Sequence, residues 1–145
     1  MSHLARSFAR AAVHALQALS ARVPQLELPT EHFFAKGMYA RMVHQRAGAL
    51  VVGKTHLREH FFILCAGSIR VTQGDDSAVE LCAPAVLACR PGTKRAILAL
   101  TEAAYLTVHR TDRKNLDRIE AEQIKRDDSA LFDARNKLKV LPWRG

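Results

Sequence analysis

Gly53-Lys54-Thr55-His56-Leu57-Arg58-Glu59-His60-Phe61-Phe62-Ile63-Leu64-Cys65-Ala66-Gly67 runs from a polar cluster with two histidines straight into an apolar block that a glycine closes. This order reads as a strand, a bend, a buried strand and a turn, with polar chemistry set beside a core strand. An echo follows in Arg90-Pro91-Gly92-Thr93-Lys94-Arg95, where a Pro-Gly turn starts another strand with basic residues.

Outward from the centre, period-two patterns continue on both sides. Gln25 to Pro29 reads as extended, Thr30-Glu31-His32 as a turn into Phe33 and Phe34, and Gly37 as a separator. From Met38 to His44, Met38, Ala40 and Met42 alternate with Tyr39, Arg41 and Val43, a strand with one wetter face. A turn at 45–48 leads through Ala49 to Val52 into the central stretch. After Gly67, Ile69 and Val71 alternate with Ser68, Arg70 and Thr72 up to a hairpin signal at Gly74-Asp75-Asp76. Val79 and Leu81, a break at Ala83-Pro84, Val86 to Cys89, Ala96 to Leu100, a turn at Thr101-Glu102 and Ala103 to His109 complete the series. About eight short strands with turns every 8 to 12 residues predict a sandwich or small barrel. No strand–helix alternation occurs, which argues against a parallel nucleotide-binding sheet.

The two central segments resemble the paired motifs of the cupin superfamily, small antiparallel jelly-roll barrels that hold a metal or small ligand inside. The family's first motif is a glycine, His-x-His, a later Glu and an apolar run closed by glycine; the second is Pro-x-Gly followed by a His. Alignment on Gly67 sets Lys54 and His56 at the histidine positions and His60 at the glutamate position. Alignment on Gly92 sets Arg95 at the last histidine position, with Pro91 directly against Gly92. The resemblance thus implies a ligand set with two cationic members, in which His56 and His60 still ligate. The wording is most like short cupin-like proteins encoded by tailed phages, which share the signatures at Thr30 to Phe34 and at Val108 to Asp112. It covers roughly residues 30 to 124. The expected fold is all-β: a cupin-like antiparallel jelly-roll barrel over 25–110, an N-terminal amphipathic helix in 1–24, and a C-terminal helix plus extended tail in 111–145.

The flanks carry amphipathic patterns. Ser2 is a cap for a helix in which Leu4, Phe8, Ala11, Ala12, Ala15, Leu16 and Leu19 recur at helical spacing, ending near Pro24. Thr111 is the expected N-cap of a second helix carrying Leu116, Ile119 and Ile124 toward the barrel, with Glu122 and Arg126 paired one turn apart. Asp127-Asp128-Ser129 breaks it, a short helical piece runs to Asn136, and Lys137 to Trp143 reads as an extended tail. Leu4, Phe8, Leu16, Leu19 and Trp143 are therefore the expected interface residues.

Composition narrows the function classes. The chain has 145 residues, 48% apolar and 25% charged, enough for one domain with its own core. Three cysteines without CxxC spacing, all in strand-like runs, read as buried free thiols. No apolar run reaches the roughly 18 residues that span a bilayer, so a soluble protein is expected. The opening segment has too many basic residues for a secretory signal. A net charge of +8 is spread along the chain, and aromatics at 6% are not interleaved with basic residues as on a nucleic-acid stacking platform.

In a straight strand His56 and His60 lie about 13 Å apart on one face. A bend at Leu57 to Glu59 brings them to the roughly 2.0 to 2.1 Å that each nitrogen needs from a zinc ion, with His109 or Glu59 completing the set. Lys54 and Arg95 oppose a dication; with His56, and with Arg58 nearby, they suit a carboxylate or phosphate instead. Glu59 or Glu31 could equally satisfy Arg95. No nucleophile motif or phosphate loop is present. The two amphipathic flanks and the altered ligand set favour a non-enzymatic, cofactor-free component that forms a homo-oligomer, and the resemblance to phage proteins implies attachment to other virion or assembly proteins, in the virion or the host cytoplasm. Nucleic acid is not favoured as a partner, and neither is a membrane. The alternative is a metal-dependent enzyme or ligand-binding protein with one divalent transition metal on His56, His60 and His109.

Overall fold

The computed structural model describes residues 28–72 and 77–126. Within them the chain runs β1 (Thr30–Ala35), β2 (Met38–Gln45), β3 (Leu50–Val52), β4 (His60–Ala66), β5 (Ser68–Thr72), β6 (Ala78–Cys82), β7 (Ala85–Cys89), β8 (Ala96–Ala99), β9 (Ala103–Arg110) and α1 (Leu116–Gln123). All strand pairings are antiparallel. They build a five-stranded sheet, β1-β2-β9-β4-β7, and a four-stranded sheet, β3-β8-β5-β6. The strand spacing led to a sandwich or small barrel, and the resemblance to an antiparallel jelly roll; the sheets have that antiparallel arrangement. The expected hairpin tip at Gly74-Asp75-Asp76, the N-terminal helix, the second helical piece and the tail to Trp143 lie outside the described residues.

Alternation along β4 makes the core. Phe62 and Leu64 point inward while Phe61 is 51% exposed on the other face. They meet Val43, Tyr105 and Ala103 of their own sheet and Ile69, Val71, Ile97 and Ala99 of the facing one. A buried polar link crosses the same interior: Tyr105 Oη donates to Gln45 Oε1 (3.0 Å), and Gln45 Nε2 donates to the carbonyls of Ala49 (2.7 Å) and Ile97 (3.0 Å). With every polar atom partnered, this link ties the two sheets without the penalty of an unsatisfied buried group. Gly67 makes the turn from β4 to β5 at φ +80°, and a Cβ there would collide with the Glu102 carbonyl oxygen.

Four local expectations are corrected. Thr30 to His32 is not a turn: β1 continues to Ala35, paired along its length with β2. The helix is capped by Asn115, whose side chain accepts from the backbone N–H of Asp117 and Arg118, rather than by Thr111. Thr111 Oγ1 instead accepts from Arg113 N in the preceding turn. Ile124 lies past the helix end. Glu122 also meets Arg58 and Arg113 from across the fold. Cys65 and Cys82 are exposed free thiols and Cys89 alone of the three is buried, since strand alternation turns the first two outward.

Candidate metal centre

His60 opens β4 and His109 nearly ends β9, and both face the interior at 7% and 5% exposure. The register that pairs Phe61 with Val108 places these two inward rings side by side. His56 arrives from the loop before β4. That loop bends at Leu57 and Arg58, as a two-histidine site requires, and closes the gap that a straight strand would leave. Ring centroids are 4.1 Å apart for His56 and His60, 4.9 Å for His60 and His109, and 5.3 Å for His56 and His109.

The His56 loop is held on two sides. His56 N donates to Thr93 O (3.1 Å) and Gly92 N to His56 O (2.7 Å), which fastens it to the Pro-Gly segment. On the other side Leu57 N donates to Gln123 O (2.7 Å) and Lys125 N to Thr55 O (2.8 Å), so the end of α1 forms a short antiparallel bridge to it. Ion pairs reinforce the clamp: Lys54 with Glu120, Arg58 Nη1 with Glu122 Oε1 at 2.6 Å, and Arg113 Nε with Glu122 Oε2 at 2.8 Å. Gln123 is buried at 2% exposure and its Nε2 donates to Arg110 O (3.0 Å), which anchors the helix to the end of β9.

Electrostatics keep the three rings neutral. Burial, then the neighbouring His60 and His109, push His56 down to about 3. Burial, His60 and Arg41 push His109 down to about 4. Burial also lowers His60, against a hydrogen bond to the Arg58 carbonyl that acts in the opposite direction. That bond fixes a tautomer: a carbonyl only accepts, so His60 Nδ1 carries the proton at 3.2 Å and Nε2 keeps its lone pair. Neutral imidazoles are the ligating form.

The donor set fits a metal ion. One nitrogen from each of His56, His60 and His109 lies within 4.8 Å of the others. Two nitrogens bound at roughly 2.1 Å to a common ion can be up to about 4.2 Å apart, within reach of small side-chain rotations. His109 Nδ1 is buried and has no hydrogen-bond partner, an arrangement that costs free energy unless something occupies it.

The other sequence-derived residues are placed differently. Lys54 turns to Glu120 of α1. Arg95 donates through Nη1 to Thr72 O (2.9 Å) and through Nη2 to Cys89 Sγ (3.6 Å), and its charge reaches His60. Glu31 meets His44 on the outside of the sheet, and Glu59 is exposed. The anion set Lys54, His56 and Arg95 is thus divided between separate partners. A further cation on the inner face of β2, one row from His109, is Arg41, which the sequence reading passed over. So are Tyr39, buried between His32 and His109, and Gln123. Parity along β2 could have found Arg41, but Met38, Ala40 and Met42 are as apolar as Tyr39 and Val43, so parity alone did not say which set is inside.

No protein-family model and no curated protein sequence matches the chain. Solved structures share its fold. A cupin superfamily protein from Desulfitobacterium hafniense superposes with a TM-score of 0.52 at 14% identity, over 62% of this chain and 83% of that one. A conserved protein with a double-stranded β-helix domain from Klebsiella pneumoniae gives 0.53 at 13% identity, over 65% and 85%. A cupin 2 domain-containing protein from Halorhodospira halophila gives 0.51 at 16% identity, over 68% and 79%.

Proposed function

We propose that this chain, a double-stranded β-helix of the cupin kind, binds one divalent transition metal on His56, His60 and His109 and presents it to a small molecule inside the barrel. The observation that carries the reading is the convergence of three neutral imidazoles, His60 and His109 buried and His56 partly buried, one with an orphaned ring nitrogen. Imidazole donors suit zinc, iron, nickel or copper, and three protein ligands leave positions open for a further group. Such an ion, when bound, supplies Lewis-acid polarisation of an oxygen atom on the bound molecule. The chain's own contribution is positional. The α1 clamp holds His56, the Arg58 carbonyl orients His60, and Phe62 with Tyr105 closes the floor, their ring centroids 4.9 Å apart.

Elemental analysis after purification without chelators tests this. About one zinc, iron, nickel or copper per chain is expected, lost in the His56→Ala, His60→Ala double variant. A wild-type protein that stays metal-free after incubation with each of these ions would reject the reading.

A second reading, an oligomeric assembly component, draws support from the outer face of the five-stranded sheet. Phe33, Ala40, Val108, Phe61 and Ala88 line up across its strands, as do Met42, Leu106, Ile63 and Val86 in the next row. Phe33, Phe61 and Val86 are 48%, 51% and 61% exposed. We assign this face to a second copy of the chain, since an apolar patch whose charge is confined to the Glu31–His44 pair at its β1–β2 edge meets its own image with little repulsion. The narrower role in a phage virion, in the particle or the host cytoplasm, comes from the sequence resemblance alone. Its expected interface residues Leu4, Phe8, Leu16, Leu19 and Trp143 lie outside the described residues.

A further inference from the structure

Arg41 stands in the middle of β2 on the same face as Tyr39, Val43 and Gln45, all of which are buried. Its Cα partners are His32 on β1 and Thr107 on β9, in a register without interruption, so its side chain leaves the sheet on the inner side. It is nevertheless exposed, so the guanidinium meets solvent from the inner side of the sheet. On the same inner face the neighbouring row pairs Tyr39 with His109, which sets Arg41 one row away from the imidazole cluster.

Among the described residues no carboxylate pairs with Arg41. Glu31 is taken by His44 on the outer face, Glu120 by Lys54, and Glu122 by Arg58 and Arg113. A guanidinium on the inner wall of a barrel, beside imidazoles and a phenol, is a planar fork of donors without an acceptor. Arg95 also lies near His60, but two of its nitrogens are engaged by Thr72 and Cys89.

We propose that the cavity takes a small carboxylate, held by the Arg41 guanidinium at the mouth and directed onto the site formed by His56, His60 and His109. The proposal deepens the metal reading and rests on it for the ligand's second anchor. A metal dication and a guanidinium sharing one cavity repel each other, and an anion between them neutralises both. The exposed guanidinium is also the first charge that an incoming anion meets. Arg41 is in this account the residue that selects charged over neutral ligands.

The test uses the full-length protein loaded with cobalt(II), whose visible absorption responds to a change of ligand, titrated with malonate and with the neutral malonamide. Malonate is expected to give a saturable spectral change and malonamide none. Arg41→Gln should bind cobalt(II) at unchanged stoichiometry yet weaken malonate about tenfold or more, and Arg41→Lys should recover part of the loss. Equal malonate affinity in wild type and Arg41→Gln overturns the proposal and leaves the metal reading standing. If the wild type takes up no cobalt(II), the metal reading fails, and calorimetric titration of malonate into the metal-free protein decides for Arg41. Heat that disappears in Arg41→Gln keeps the anion site; no heat, or heat unaffected by the substitution, removes it.

Discussion

The three imidazoles bind protons less readily in the folded chain than in the unfolded one. Their ordinary value of 6.5 falls to about 3 for His56 and about 4 for His109. The unfolded state therefore holds more protons below 6.5, and the metal-free protein is most stable above that value and loses stability as the pH falls toward 4. Each such group contributes a slope of up to about 1.4 kcal/mol per pH unit within its window. Urea unfolding of the metal-free protein at about pH 7.5 and about pH 5 should show this loss, and His56→Gln should make the dependence shallower. Gly67 offers an independent check on the barrel. Its positive φ and the Glu102 carbonyl leave no room for a side chain, so Gly67→Ala should cost about 2 to 4 kcal/mol, read as a lowered urea midpoint.

The helix α1 contributes no ligand, yet it holds the loop that does. Leu57 N and Lys125 N close the bridge between Thr55–Leu57 and the helix end, and Glu122 grips Arg58 and Arg113 together. Both arginine side chains are about half exposed, so the pairs contribute at most about 1 kcal/mol of stability and matter more as a positional restraint. Glu122→Gln should leave the melting temperature almost unchanged, speed hydrogen exchange at the Leu57 amide, and weaken metal binding by about tenfold, a loss of the size expected when a ligand's support is loosened. Unaltered exchange at Leu57 would show that the backbone bridge is enough. The strand pattern announced this loop's bend. It did not announce the clamp, because Lys54 and Glu120, or Arg58 and Glu122, are more than sixty residues apart in the chain and pair only after the barrel has closed.

At the level of the whole chain, one face of the five-stranded sheet packs the core and the other presents Phe33, Phe61 and Val86 to solvent. Since these side chains are exposed, replacing them does not disturb the interior. The Phe61→Lys, Val86→Lys double variant should keep the wild-type unfolding midpoint while shifting sedimentation from a dimer to a monomer at micromolar concentration. A wild-type chain that sediments as a monomer at every concentration removes the second-copy assignment.

Hydrophobic alternation and turn residues by themselves determined that this chain is a β sandwich or small barrel, that a bend sits between His56 and His60, and that Gly67 ends the central strand. These depend on near neighbours, and period-two patterns with glycine punctuation carry them directly. Only the tertiary structure decided which parity of β2 faces inward, and with it the place of Arg41. Only there does His109 of β9 stand beside His60 of β4, and only there does Lys54 turn to a helix glutamate instead of into the cavity. Each is a contact between distant segments, set by strand register and by which charges meet once the sheets have closed.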